Sequence, residues 1–245
     1  MLKNEDFLKR YFSQLVLKEM DLEMQEALLK KSIVVIGCGG LGSPLATYLA
    51  GAGVGNITLI DPDIVELKNL HRQVFYTEDD INRDKVSVLA KHLNSLNHSC
   101  QVKTFKNKSW DVEESHFHSD LVIDCADNFR TTYSLNSICV NECIPFLTAS
   151  VSGTAGQTVL YRNLKSEHCC HCCIFPPDGE LDGNECAEVG VLGPTVSMVA
   201  AMQSSIALDF LLGRDRHSEI LYRFNANDLS TKKNKIKSDN SCKLK

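Results

Sequence analysis

The chain has 245 residues, 43% of them hydrophobic and 23% charged, with a net charge of −5. That length holds one large α/β domain or two small ones with a complete core, and the acidic balance argues against a broad nucleic-acid footprint. No apolar run of about 18 residues is present to span a membrane, and the charged residues 1–10 lack the apolar core of a secretion signal, so the cytoplasm is the expected compartment.

Residues 4–30 are expected to be helical. Phe7, Leu8, Tyr11, Phe12 and Leu15 recur at helical spacing and a second piece covers 24–30, forming an arm packed on the sheet or on a second subunit. Residues 33–43 then read I-V-V-I-G-C-G-G-L-G-S. Ile33, Val34, Val35 and Ile36 suit a strand buried on both faces of a parallel sheet. Gly37, Gly39, Gly40 and Gly42 follow, and after them an Ala/Leu-rich helix over 44–51. Strand, glycine turn and helix bring bare backbone N–H groups and a positive helix end against a phosphate. A tight turn without a ligand has the same pattern, so the neighbouring motifs decide.

Residues 56–60 form the next strand, ending in Asp61-Pro62-Asp63. An acid roughly 20 positions beyond the last glycine is placed to bond ribose hydroxyls, which fits NAD and ATP alike. Asn69, Arg72 and Gln73 come next, and Lys85 opens a helix over 85–96. Arg72 as a fork and Lys85 as a point charge, with Asn69, can converge on a polyphosphate; a dinucleotide hydride site has no need of two cations. Strands are expected at 102–105 and 121–124. The latter ends D-C-A-D-N-F-R on the same sheet edge as the glycine turn, so Asp127, beside Asn128, faces the phosphates as a natural Mg²⁺ ligand. Asp127 is equally suited to cap a helix over 128–143.

Further strands are expected at 146–150 and 157–161, joined by a stretch rich in small residues. Of the eleven cysteines, Cys38, Cys100, Cys125, Cys139 and Cys143 stand singly as small core residues. Cys169, Cys170, Cys172 and Cys173 instead crowd together, which in a reducing compartment suggests metal or thiol chemistry. Residues 174–190 carry acids, Gly and Asn, consistent with a mobile loop crossing the site, and contain Cys186. A long apolar helix over 190–212, a strand at 221–225 and a flexible lysine-rich tail at 231–245 complete the chain.

G-x-G-G-L-G, then D-P-D-I-V-x-x-x-N-L-x-R-Q, then a lysine, then D-C-A-D-N resembles the ThiF/MoeB/HesA family, prokaryotic relatives of the ubiquitin-activating enzymes, over about residues 7–230. The resemblance implies an ATP-dependent adenylyltransferase acting on the C-terminal glycine of a ubiquitin-like sulfur carrier protein, with a cysteine desulfurase or another sulfur donor upstream. It implies that Asp61, with Asp63, holds the ribose. Asn69, Arg72, Gln73 and Lys85 hold the phosphates, and Asp127, beside Asn128, positions Mg²⁺. His168 to Pro176 aligns with a zinc C-x-x-C frame, which makes Cys170 and Cys173 ligands and Cys242 a third. The fourth is open among His168, Cys169, His171 and Cys172. At the place of Cys186, ThiF-like proteins form an acyl-disulfide with the thiocarboxylated carrier. One departure stands out: Ser13 occupies the place of a family arginine that reaches ATP, often across a dimer interface, so either Arg10 substitutes or adenylation is weak.

The expectation is thus an α/β, doubly wound, mostly parallel sheet in a homodimer. It comprises a helical arm (1–30), an adenylation domain (31–230) with a crossover loop at about 163–190, and a basic tail (231–245). T-A-S-V-S-G before a Gly-Gln pair leans towards a ThiS-like carrier and thiamine thiazole synthesis; activation of the molybdopterin synthase small subunit by a MoeB-type enzyme is the close alternative. An NAD-dependent oxidoreductase is the alternative of another class.

Overall fold

The computed structural model describes residues 4–163, 169–177, 190–239 and 242. The β-branched run becomes β1 (Ser32–Ile36), flanked in parallel by β2 (Asn56–Ile60) and β4 (Leu121–Asp124), with Val35 opposite both Leu59 and Ile123. β3 (Gln101–Phe105) lies beyond β2 and β5 (Phe146–Ser152) beyond β4, both parallel to their neighbours. β6 (Ala155–Tyr161), β7 (Ile220–Asn225) and β8 (Ser230–Lys235) extend the sheet antiparallel, giving eight strands in the order β3-β2-β1-β4-β5-β6-β7-β8.

Both faces of β1 are covered, which is why its residues are uninterruptedly apolar. Ile33 and Val35 join a core with Leu45 and Leu49 of α3 (Gly42–Ala52), Leu89 and Leu93 of α4 (Lys85–Leu96) and Val199 and Ala207 of the long helix Gly193–Leu211. Val34 and Ile36 face the other way, with Leu135 and Cys139 of α5 (Phe129–Asn141), Phe117, Phe146 and Tyr161. A short turn, α6 (His171–Ile174), sits beside α5, and the long helix is α7. Each fully buried Leu or Phe stabilises this three-layer arrangement by about 1.5–3 kcal/mol.

The arm is α1 (Asn4–Leu15) and α2 (Leu22–Leu28), docked on its own chain. Tyr11 is buried, its hydroxyl accepting from Asn97 Nδ2 at 3.0 Å, and the side-chain amides of Gln14 and Gln25 both donate to the Ala52 carbonyl, at 3.1 and 2.9 Å. These bonds satisfy the open carbonyl end of α3. Leu8, Phe12, Val16 and Leu17 point outward and are exposed.

One expectation is corrected. The tail beginning at residue 231 is not all flexible: Ser230–Lys235 is β8, paired along its length with β7. Its side chains are almost all exposed and three are lysines, the composition of a protected sheet edge, which reads in sequence as a solvated tail. No helix among the described residues is long and apolar enough to cross a membrane.

Candidate functional site: a glycine-floored cavity at the carboxyl edge of the sheet

The strand ends β1, β2 and β4 open onto one cavity of about 980 Å³. Its floor is the turn between β1 and α3. Gly37 has φ +87° and its backbone lies so close to β4 that a Cβ there would stand 2.7 Å from the Cys125 carbonyl oxygen. A Cβ on Gly42 would overlap the Gly37 carbonyl oxygen itself. Only glycine permits this tightly folded turn. Gly39 and Gly40 line the cavity directly, and α3 begins without a side-chain cap, leaving its positive end to other partners.

Asp61 holds that turn in place. One of its carboxylate oxygens accepts from the Cys38 N–H at 2.6 Å, the other from the Asp63 N–H at 2.8 Å. Burial pushes the Asp61 carboxyl up, while the nearby Lys85 charge and these two N–H groups pull it back. On the far side of the turn the Tyr76 hydroxyl donates to the Cys38 carbonyl at 2.6 Å. Tyr76 was not foreseen, since nothing in the sequence ties it to a turn so many residues upstream.

The expected cations face the same cavity. Lys85, at the first position of α4, is buried and reaches Asp63 Oδ2 at 2.9 Å, whereas the Asp63 side chain is 64% exposed. A buried ammonium whose ion-pair partner is solvated is readily shared with an incoming anion. Arg72 is steered by Asn69, whose Oδ1 accepts from Nη2 at 3.1 Å, and its Nη1 lies 2.9 Å from the His71 ring. Among the described residues, buried Gln73 finds no partner for its Oε1, nor Ser109 for its buried Oγ. Both line the cavity. Unpaired buried polar atoms cost about 1–3 kcal/mol each, so a polar ligand fits here.

Asp127 is exposed at the cavity wall, on the turn after β4. It does not cap α5; that place belongs to Asn128, whose Oδ1 accepts from the Thr131 N–H at 2.9 Å. The turn is fixed from beneath by Asp124, fully buried, which accepts from Thr132 Oγ1 at 2.6 Å, Thr148 Oγ1 at 3.2 Å and the Ala126 N–H at 3.0 Å. Burial pushes the Asp124 carboxyl up to about 6 despite those three bonds. Trp110 also lines the cavity, with the Arg130 guanidinium 4.5 Å and the Lys108 ammonium 5.4 Å from its ring centroid. The chain's single tryptophan, just past a strand on the binding edge, was a signal that sequence reasoning left unused.

Arg10 does not take over from the missing arginine at Ser13 within this chain. Its Nη1 donates to the Leu96 carbonyl at 3.0 Å, at the end of α4, and it is not part of the cavity wall.

A second cluster lies beside α5. The Cys170 sulfur stands 3.7 Å from that of Cys173 and 3.6 Å from that of Cys242, and all three sulfurs lie within 4.8 Å of one another. A tetrahedral zinc with Zn–S near 2.3 Å sets its sulfurs about 3.8 Å apart, so the three expected thiols fit such an ion. Of the candidates for a fourth, His171 turns its Nδ1 to the Tyr161 hydroxyl at 3.3 Å, and burial pushes its imidazole down to about 4. The Cys169 thiol points to the Cys170 carbonyl at 3.8 Å. Asn136 Nδ2 donates to the Cys172 sulfur at 3.4 Å. His168 and Cys186 lie outside the described residues, and so does most of the expected crossover loop.

Residues 11–244 match the ThiF family. The chain is 36% identical to the sulfur carrier protein ThiS adenylyltransferase of Escherichia coli, over 86% of this chain and 84% of that protein. It is 37% identical to a sulfur carrier protein adenylyltransferase of Thermus thermophilus, covering 84% and 78% respectively. Against the adenylyltransferase and sulfurtransferase MOCS3 of Xenopus laevis identity is 36%, and the match spans 50% of that longer protein. In fold it is similar to E. coli MccB, with a TM-score of 0.83 at 21% identity over 99% of this chain and 74% of that one. A family match over nearly the whole chain, with relatives at 36–37% identity, settles the lineage: the chain belongs to the ThiF family.

Proposed function

We propose that this protein uses ATP to adenylate the C-terminal glycine carboxylate of a ubiquitin-like sulfur carrier protein. The observation that carries the reading is convergence: Gly39, Gly40, Arg72, Lys85 and Asp127 come from three separate strand-to-helix connections and line one cavity. A carboxylate oxygen of the carrier attacks the α-phosphorus, the bond from that phosphorus to the bridging oxygen breaks, and pyrophosphate leaves with the electron pair. An acyl-adenylate remains. No proton moves in this step, so positioning and charge neutralisation are what the site must supply.

In this reading Asp61 and Asp63 orient the ribose, and the glycine amides with Asn69, Gln73, Arg72 and Lys85 grip the phosphates. Asp127, beside Asn128, holds Mg²⁺, which neutralises the departing pyrophosphate when bound. The Lys85–Asp63 pair is then the resting partner of a cation that transfers to triphosphate. Cys170, Cys173 and Cys242 hold a structural zinc ion, and the exposed apolar face of α1 joins two copies in a homodimer. The best supported carrier is ThiS-like, in thiamine thiazole formation with a cysteine desulfurase or other donor upstream, because two of the most similar relatives are carrier adenylyltransferases whose length the chain largely spans.

The test is incubation with ATP and either a ThiS-like or a MoaD-like carrier, read by the mass gain of AMP on the carrier and by carrier-dependent pyrophosphate exchange. AMP on the MoaD-like protein alone moves the assignment to the MoeB-type role. No exchange with either, together with tight NADH binding, ends the adenylation reading in favour of an oxidoreductase.

A further inference from the structure

The lysines on the sheet edge are not equivalent. In antiparallel strands directly opposite residues share one face, and one such row runs Ser150, Gln157, Arg223, Lys232 from β5 out to β8. Ser150 and Gln157 line the cavity, while Arg223 and Lys232 lie beyond them and are exposed. Tyr222 and Phe224 turn into the core shared with α7, so Arg223 takes the other face together with Leu221, on the side of the sheet that carries α5. Lys233 and Lys235 alternate with Lys232 and face away from it, the Lys233 ammonium lying 5.6 Å from the Tyr222 ring centroid. Strands are spaced about 4.8 Å apart, which sets Arg223 about 10 Å and Lys232 about 14 Å from Ser150 along the row. That is the span of about three to four extended residues.

Two cations set directly opposite each other on neighbouring strands repel and weaken the sheet. Among the described residues neither Arg223 nor Lys232 forms an ion pair. Asp228, at the tip of the same hairpin, accepts from the Ser230 N–H at 3.0 Å, and Ser230 lowers its carboxyl more than Lys232 does. The chain as a whole carries a charge of −5, so it repels an acidic protein except where cations gather. We propose that Arg223 and Lys232 are the landing site for carboxylates on the body of the sulfur carrier, beside the root of the tail whose end enters the cavity. This rests on the carrier-adenylation reading and adds to it the surface that holds the carrier's body. A carboxylate between the two side chains relieves their repulsion, and a partner seated there has its chain end within reach of Ser150. Exposed cations of this kind govern encounter and residence of the partner and leave the chemical step alone.

The experiment measures AMP transfer to the ThiS-like and the MoaD-like carrier as carrier concentration is varied, at low and at high salt, together with ATP affinity. Lys232→Glu turns the like pair into an opposite pair, so its thermal midpoint should be no lower than that of the native chain while its KM for the carrier rises about fivefold. The double variant Arg223→Glu, Lys232→Glu should raise that KM at least about tenfold at low salt and by much less at high salt. Its kcat at saturating carrier and its ATP affinity should stay within about twofold of native, since neither residue meets the reacting atoms. Lys235→Glu makes the same change of charge on the opposite face and should leave KM within about twofold. A native KM in the double variant, an equal rise in Lys235→Glu, or a rise that survives high salt overturns the docking site and leaves adenylation standing. A native chain that transfers AMP to neither carrier ends the adenylation reading and the docking site with it.

Discussion

Lys85 and Asp124 show how burial turns two ordinary side chains into working ones. Lys85 sits with its ammonium enclosed and its partner Asp63 in solvent, so replacing it by methionine keeps the packing and removes only the charge. We expect Lys85→Met to lower kcat for adenylation by about 10²–10³, the effect of losing one preorganised charge, with the fold retained by circular dichroism; unchanged kcat would remove Lys85 from the site. Asp124 makes a pH prediction. Its carboxyl is pushed up to about 6 from an ordinary value near 4, so between those values the folded chain keeps a proton that the unfolded chain has released. Stability must therefore fall as pH rises through that window, by up to about 3 kcal/mol from this residue. Asp124→Asn cannot titrate, and its urea unfolding free energy should fall less than that of the native chain between pH 4 and pH 6.5; parallel slopes would refute the assignment. That Arg72, Lys85 and Asp127 face one cavity was legible because each lies between the carboxyl end of a parallel strand and the start of the next helix, and such connections have one edge to occupy. Asp124 and Tyr76 were not, since what defines them is contact with Thr132, Thr148 or the Cys38 carbonyl, which only the folded chain brings near.

Among the elements, the glycine turn separates ligand binding from folding. A Cβ on Gly42 overlaps the Gly37 carbonyl, whereas one on Gly39 meets only the end of the Gln73 side chain at 3.2 Å. Gly42→Ala should cost about 3 kcal/mol or more, as strain at a position with no room to relax. Gly39→Ala should change stability by less than about 1 kcal/mol while weakening ATP at least about tenfold, because its methyl group enters the cradle. Equal ATP affinity in a folded Gly39→Ala protein would mean that the phosphates lie elsewhere. Helices and parallel strands were readable here because β1, β2 and β4 are short and largely apolar and helical periods follow each of them. β8 was hidden by its own design: an edge strand carrying Lys232, Lys233 and Lys235 looks like a solvated tail until β7 supplies the pairing partner.

For the whole molecule, the outer face of α1 is the feature that awaits a partner in the proposed dimer. Leu8, Phe12 and Val16 follow at intervals of four and so share one face, and they are 42%, 65% and 62% exposed. A Phe12→Glu, Val16→Glu double variant should sediment as a monomer where the native chain sediments as a dimer; identical sedimentation would place the interface elsewhere. That arrangement would also bring Ser13, exposed on α1, to the neighbour, where it offers a hydroxyl and no positive charge.

α6 has two employers. Cys170 and Cys173 frame it on the sulfur side, while His171 and Phe175, at its start and just past its end, form part of the nucleotide cavity wall. Four residues cannot loosen at one end and stay rigid at the other. Chelation of the proposed zinc should therefore be felt at the nucleotide: amide hydrogen exchange over 169–175 should quicken, and ATP should bind more weakly, although Cys170, Cys173 and Cys242 do not line the cavity. With zinc bound to those thiols, metal and nucleotide grip would be geared together through a single turn of backbone, and loss of the ion would slacken the nucleotide cavity before the protein unfolded.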